Sequence, residues 1–384
     1  MLKAPIYING FEACSAVGHS QETVWENYQA KTSLFTCIEA NNKKYPVAQL
    51  PKSIQQAIAV YTNSNKLYAA LDPSVKMVIW LANILSNKSD ISNHCGINIG
   101  SSRGATHSFE QTYSQYLNTG VTPLLTSPTT TLGNIASWVA QELNVSGIAI
   151  SHSITCSSAM HALLNGISWL QSGMASQFLV GGSEAALTPY TLAQMDALKL
   201  YACQSKWPNR TLDFKKTQNT LVLGEAAALA LISLKKTPTT IAKIIGVGFA
   251  TERLSHAVSL SPEAHCFKKS MQNALHSAQL DTVDAIVMHA PGTVKGDQAE
   301  YKAIQYLLNS KKSPFLTSTK WLSGHTFAAS GLLSLQFAIL SLQYNQWIAP
   351  PYIKQIPQDK DIRTVLINAV GFGGNAVSII IKKP

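Results

Sequence analysis

Cys156 lies in the run Ile154-Thr155-Cys156-Ser157-Ser158-Ala159-Met160-His161, where an extended stretch over 147–155 gives way to an apolar helix predicted over Ser157–Gln171. A thiol at such a junction faces backbone N–H groups that have no intrahelical partner and the positive end of the helix dipole. Both favour thiolate over thiol, and the same N–H groups can stabilise an oxyanion once the sulfur attacks a carbonyl. An isolated cysteine is more often a small buried hydrophobe, so the case rests on what accompanies it. Three further stretches carry chemistry. A predicted strand ends at His289, followed by Ala290-Pro291-Gly292-Thr293 and Gly296-Asp297-Gln298-Ala299-Glu300. Lys320 stands five residues before His325, which opens a second apolar helix. Gly371-Phe372-Gly373-Gly374 interrupts a hairpin-like pair near the C-terminus, where small residues let backbone approach a ligand and move.

The elements that must bring these residues together follow an α/β pattern. Predicted strands are 6–11, 95–100, 147–151, 177–180, 227–234, 285–289, 364–369 and 377–382. Predicted helices are 22–30, 74–86, 133–143, 157–171, 263–277, 298–308 and 327–344. The stretch 235–241, with Pro238 among threonines, reads as a connection between halves. Each half has a small-residue-rich apolar helix opened by a reactive group, Cys156 in one and His325 in the other, which is the mark of a duplication.

The bulk numbers narrow the class. The chain has 384 residues, 46% hydrophobic and 13% charged, with a net charge of +10. That length accommodates two domains or one large duplicated unit. No run of about 18 uninterrupted apolar residues occurs, so no transmembrane span is expected, and the N-terminus reads as a first strand. The six cysteines show no paired spacing, which gives no basis for a metal site or disulfide framework and fits a reducing cytoplasm. With no arginine-rich arm, zinc finger or RNA-binding aromatic motif, nothing points to nucleic acid; the positive charge fits a small acidic protein partner.

Taken in order, Cys156, His289, Lys320, Gly324-His325 and Gly371-Phe372-Gly373-Gly374 resemble the β-ketoacyl synthases, nearest their elongating members in type II fatty-acid and polyketide synthesis. Asn9-Gly10-Phe11, Gly181-Gly182-Ser183-Glu184, Thr188-Pro189 and Leu223-Gly224-Glu225-Ala226 extend the resemblance over nearly the whole chain. It implies a thiolase-like fold: duplicated halves at 1–236 and 237–384, layered α-β-α-β-α around mixed five-stranded sheets. It implies that Cys156 takes an acyl group from a carrier-protein thioester, with the N–H groups of Cys156 and Phe372 as oxyanion hole. His289 and His325 would stabilise the enolate left by decarboxylation of a malonyl thioester, and Lys320 would hold the electrostatics around His325. Phe372 would act as a gate between Gly371, Gly373 and Gly374. Thr293 would contact the phosphopantetheine arm, Met195 would line the acyl pocket, and 129–135 would form its dimer-facing wall. No resident cofactor is implied, because 4'-phosphopantetheine arrives on the acyl carrier protein. The basic side around Lys43-Lys44, Lys206 and Lys215-Lys216 is the expected docking face, and the dimer is either with itself or with another ketosynthase subunit.

The chain departs from the family around the site. His-Gly-Thr-Gly-Thr is the usual turn, and Ala290-Pro291-Gly292-Thr293 here replaces a hydroxyl and removes an N–H. Thr155 and Ala159 stand for the usual Ala and Gly, Asn375-Ala376 for Thr-Asn, and Asp213–Thr220 for an acidic loop. These changes leave a second expectation open: a chain-length factor, which pairs with an active ketosynthase without condensing. A thiolase would carry a second cysteine near the C-terminus, and none follows Cys266; an initiating synthase would usually carry Asn where His325 stands.

Overall fold

The computed structural model describes residues 2–132, 134–253, 260–308, 313–354, 358 and 361–384. Gly133, expected both as a helix start and in the dimer-facing wall, lies outside them. Ten strands form one sheet: β1 Ile6–Ser15, β2 Gly96–Gly100, β3 Ala149–His152, β4 Gln177–Glu184, β5 Ala226–Ser233, β6 Ala242–Thr251, β7 Ala285–Val287, β8 Phe315–Thr317, β9 Thr364–Val370 and β10 Asn375–Lys382. Their spatial order is β8-β7-β9-β10-β6-β1-β5-β4-β2-β3.

This order holds the same motif twice. In the first half, starting from β1, the strands run first-fifth-fourth-second-third; in the second half, starting from β6, they run identically. The second and third strands pair in parallel, as do the second and fourth, while the fifth is antiparallel to both its neighbours in each half. The halves are therefore five-stranded and mixed, as expected, but they are not separate sheets. Three antiparallel pairs between Ile6–Ile8 and Ala242–Ile244 make them continuous.

Helices fill the spaces on either side of each half. α1 Pro73–Ser86 and α2 Asn134–Leu143 cover the outer face of the first half, α4 His265–Ala278 covers that of the second with α5 Val294–Leu308 packed on α4, and α3 Ser158–Ser172 and α6 Ser330–Tyr344 lie between the halves. That is the five-layer arrangement. The strand β5, AAALALIS, is buried at every position, as a strand covered on both faces must be. α6 is buried from Ser330 to Leu342. Phe327–Tyr344 has the length and hydropathy of a membrane span, but 89% of it is enclosed by the rest of the chain, as a core helix is.

The strand β6 was not expected from the sequence. Its glycines, Gly246 and Gly248, depress strand propensity. They are there because α4 lies directly on them: a Cβ on Gly248 would come within 1.9 Å of the Ser270 carbonyl oxygen, and one on Gly246 within 2.4 Å of that of Ala274. Phe315–Thr317, Thr36–Ala40 and Lys43–Ala48 were also missed, being short; the last two form a small sheet with Leu223–Gly224.

A Gly248→Ala substitution is expected to cost about 3 kcal/mol, because helix and strand backbones must separate rather than a side chain turn aside. Urea unfolding checks this. An unchanged midpoint would mean that α4 does not sit on β6 this closely.

Candidate active site

The duplication places the reactive groups in equivalent positions. The third strand of the first half leads to Cys156 and α3; the third strand of the second leads to Lys320, His325 and α6. His289 follows the second strand of its half, and 371–374 is the turn between the fourth and fifth. The two central helix starts meet between the halves, and Cys156, His289, His325, Phe372 and Thr293 line one cavity of about 730 Å³. Met195, Gly371, Gly373 and Gly374 line it as well. Lys320 lies behind this wall rather than in it.

Cys156 sits on a tight turn. Thr155 has φ +47°, left-handed backbone that a β-branched residue adopts only under constraint. Ser157 N–H donates to the Ile154 carbonyl at 3.3 Å and Ser158 N–H to that of Thr155 at 3.1 Å. The first N–H groups of the helix are thus taken up by the turn. The thiol is 4% exposed among Met195, Tyr201 and Phe327. Burial pushes it up to about 12; the Lys320 ammonium pulls against this, Glu184 adds to it, and Arg103 and the residue's own N–H pull it back. Burial thus works against the thiolate that the helix start favours, and it is the larger of the two effects.

Two buried histidines face each other across the cavity, their rings 5.5 Å apart and edge-on at 88°. His325 Nδ1 lies 3.0 Å from Ser330 Oγ, which leaves Nε2 without a protein partner among the described residues. Both rings are held neutral: burial drives each well below the ordinary imidazole value, and the neighbouring Lys320 ammonium adds to it. Lys320 is 1% exposed and donates from Nζ to the His289 carbonyl oxygen. Burial lowers it to about 8, against Glu300, Cys156 and Asp297, which favour its charge.

Two carboxylates hold this frame. Glu300 accepts from the N–H groups of His289 at 2.9 Å and Ala290 at 2.8 Å, and from Asn368 at 2.9 Å. Glu184 accepts from the N–H groups of Ser102 at 2.7 Å, Arg103 at 3.2 Å and Ala328 at 3.4 Å, tying the two halves together. Burial pushes each up to about 7. Sequence reasoning gave neither a role, although each is an acid at a fixed distance from a reactive segment. It also missed Arg103, which stacks at 5.2 Å on the ring of the cavity-lining Phe327.

Phe372, 38% exposed, stands at the rim. Gly373 and Gly374 have φ of +102° and +70°, so the turn needs glycine there. Gly371 is needed for closeness: a Cβ on it would lie 2.1 Å from Thr155 Oγ1. The turn therefore packs on the nucleophile's own turn. Thr293 Oγ1 accepts the Gly296 N–H at 3.2 Å, capping α5 beside the cavity.

The expected docking face is corrected. Lys216 cannot serve a docking face, because its ammonium is buried in an ion pair with Asp297 at 2.7 Å. Lys43 is exposed but paired with Asp196 at 2.6 Å, leaving Lys44, Lys206 and Lys215 as the exposed cations of that group. In a single chain none of the described residues of 129–135 lines the cavity: Thr126–Thr130 forms a short helix, and Asn134 and Ile135 are buried in the first turn of α2.

Comparison with known proteins agrees with this geometry. Residues 3–237 match the β-ketoacyl synthase N-terminal domain and residues 241–354 its C-terminal domain. The chain belongs to the β-ketoacyl synthase family. It is 24% identical to 3-oxoacyl-[acyl-carrier-protein] synthase 2 of Coxiella burnetii over 100% of this chain and 99% of that protein. It is 26% identical to 3-oxoacyl-[acyl-carrier-protein] synthase 1 of Buchnera aphidicola over 86% and 85%. Its fold matches a structure of the ketosynthase ApeO in complex with its chain length factor ApeC from Xenorhabdus doucetiae, with a TM-score of 0.83, 19% identity and coverage of 99% and 98%.

The state of Cys156 makes a measurable claim. Its thiol lies above the ordinary range, so its alkylation by iodoacetamide is expected to be slower at pH 7 than that of exposed Cys37 and Cys203. The rate should climb with pH and then shallow above about 8, where Lys320 gives up its proton and its pull. Lys320→Met should slow it about tenfold at pH 7. Peptide mass mapping reads each cysteine separately; a rate in the variant equal to the parent's would remove Lys320 from the account.

Proposed function

We propose that this chain is a β-ketoacyl–carrier-protein synthase, which loads an acyl group on Cys156 and condenses it with a malonyl thioester. The observation that carries the reading is the convergence of a buried thiol and two neutral histidines on one cavity, with a buried lysine behind them. Cys156 Sγ attacks the acyl thioester carbonyl, and the carrier thiol leaves with the proton. The malonyl thioester then loses CO₂, and its oxygen takes the negative charge. Neutral His289 and His325 donate hydrogen bonds to that oxygen without surrendering a proton outright, which suits transient enolate charge. The carbanion attacks the acyl-Cys156 carbonyl, whose oxyanion is held by the N–H groups of Cys156 and Phe372, and the Cys156 sulfur is expelled and reprotonated. Phe372 acts as the gate, and Lys320 adds to the burial that keeps both histidines neutral. These steps use the chain's own groups and the carrier-borne thioester, with no resident cofactor.

An acidic acyl carrier protein is the proposed partner, approached through Lys44, Lys206 and Lys215. The exposed edge strand Ala149–His152 ends the sheet and offers the pairing edge for a dimer, with itself or with a related subunit. All six cysteines are free, which supports a cytoplasmic setting. The second reading, a chain-length factor, draws on the Pro291 turn and on the high-lying thiol.

Incubation of the protein alone with acyl-carrier protein, read by intact mass, is expected to show an acyl-sized gain that vanishes in Cys156→Ala. His289→Ala and His325→Ala should each cut malonyl decarboxylation by roughly 10²–10³ while leaving the mass gain. No gain with any acyl length would sink the condensing reading in favour of a subunit that needs an active partner.

A further inference from the structure

The turn that would meet the carrier's arm has almost no hydrogen-bonding capacity to spare. Ala290 N–H is bound to Glu300, and its carbonyl accepts from Thr211 Oγ1 at 2.7 Å and Ser318 Oγ at 3.3 Å. Pro291 has no N–H, and its carbonyl accepts from Asn209 Nδ2 at 3.2 Å. Gly292 N–H donates to Asp297 at 3.0 Å, while its carbonyl accepts from Thr220 N–H at 2.9 Å and Thr220 Oγ1 at 2.7 Å. Thr293 is left with its hydroxyl proton and its N–H. A pantetheine arm carries two amides, each with a donor and an acceptor, so this turn leaves their acceptor demand unmet.

The opposite wall supplies what is missing. Thr217, Gln218 and Asn219 line the same cavity as Cys156. Asn219 is committed, donating to the Lys199 carbonyl at 3.0 Å and accepting the Val294 N–H at 3.0 Å. Thr217 and Gln218 are exposed to the cavity side, and neither makes a hydrogen bond among the described residues. Gln218 also borders a second cleft of about 280 Å³ that Lys206 lines, so it is shared by the cavity and a cleft with a basic wall. The segment is held by the buried Lys216–Asp297 ion pair on one side of Gln218 and the Asn219 clamp on the other, so the amide is presented from a fixed backbone.

Resting on the acyl-transfer reading above, we propose that Gln218, with Thr217 beside it, binds the amides of the incoming thioester arm in place of the hydroxyl that Pro291 displaces. Its side-chain amide offers a donor and an acceptor together, which is what a secondary amide requires.

The test compares two acyl donors for Cys156 by intact mass: hexanoyl-pantetheine, which has both amides, and S-ethyl hexanethioate, which has none. Gln218→Ala is expected to raise the pantetheine-thioester concentration for half-maximal loading about tenfold, the size of one or two neutral hydrogen bonds. Loading from the S-ethyl thioester should be unchanged. Equal effects on both donors, or none on either, would overturn the assignment while leaving acyl transfer intact. A parent protein that loads from neither donor would overturn acyl transfer itself, and this assignment with it. An unchanged urea midpoint is expected for the variant, since the side chain is exposed.

Discussion

Lys320 carries a buried ammonium beside Cys156, His289 and His325, and its charge bears on all three. Enclosing an unpaired cation is costly, so it is met by the His289 carbonyl and, at longer range, by Glu300 and Asp297. Glu300 in turn holds the N–H groups of His289 and Ala290, which sets the backbone that presents the histidine ring. The same ammonium adds to the burial that lowers both imidazoles, and it offsets part of the cost of ionising Cys156. A site for transient enolate charge needs donors that do not readily give up their proton. Here desolvation lowers both imidazoles, and the neighbouring Lys320 ammonium adds to it.

That arrangement requires two chain segments far apart in sequence to meet, and the duplicated topology brings it about. Each half delivers its third strand to the start of a central helix, and the halves pack so that both helix starts open on one cavity. Glu184 shows how tightly the halves are joined: one carboxylate from the first half binds Ser102, Arg103 and, across the interface, Ala328. Small residues permit the approach. A Cβ on Gly182 would meet the Ala159 side chain at 2.7 Å and the Ala328 carbonyl at 3.1 Å, and a Cβ on Gly331 would meet Met160 at 2.3 Å.

The cavity entrance is held by a second set of buried contacts. Lys216 is pinned to Asp297, which also holds Gly292 and Leu212. The loop and the Pro291 turn are one hydrogen-bonded unit with Thr211, Asn209 and Thr220.

Much of this was legible in the residues alone. The order of Cys156, His289, Lys320, His325 and the 371–374 glycines identified the chemistry, because those side chains have few other reasons to recur in that company. Long periodic elements such as α1, α3 and α6 were legible because a buried face imposes its period on the sequence. The strand Ala242–Thr251 was not, because its glycines answer to a helix packed upon it rather than to strand propensity. The protonation of Cys156 was also beyond the sequence: a helix start favours thiolate, but only the packed structure shows that the turn uses the first N–H groups and that burial prevails. In the same way a run of lysines reads as a charged surface, and the fold alone decides that Lys216 is buried and paired. Residue identity determined which reactions are available; tertiary structure decided solvation and hydrogen-bond commitment, which depend on neighbours that sequence distance does not reveal.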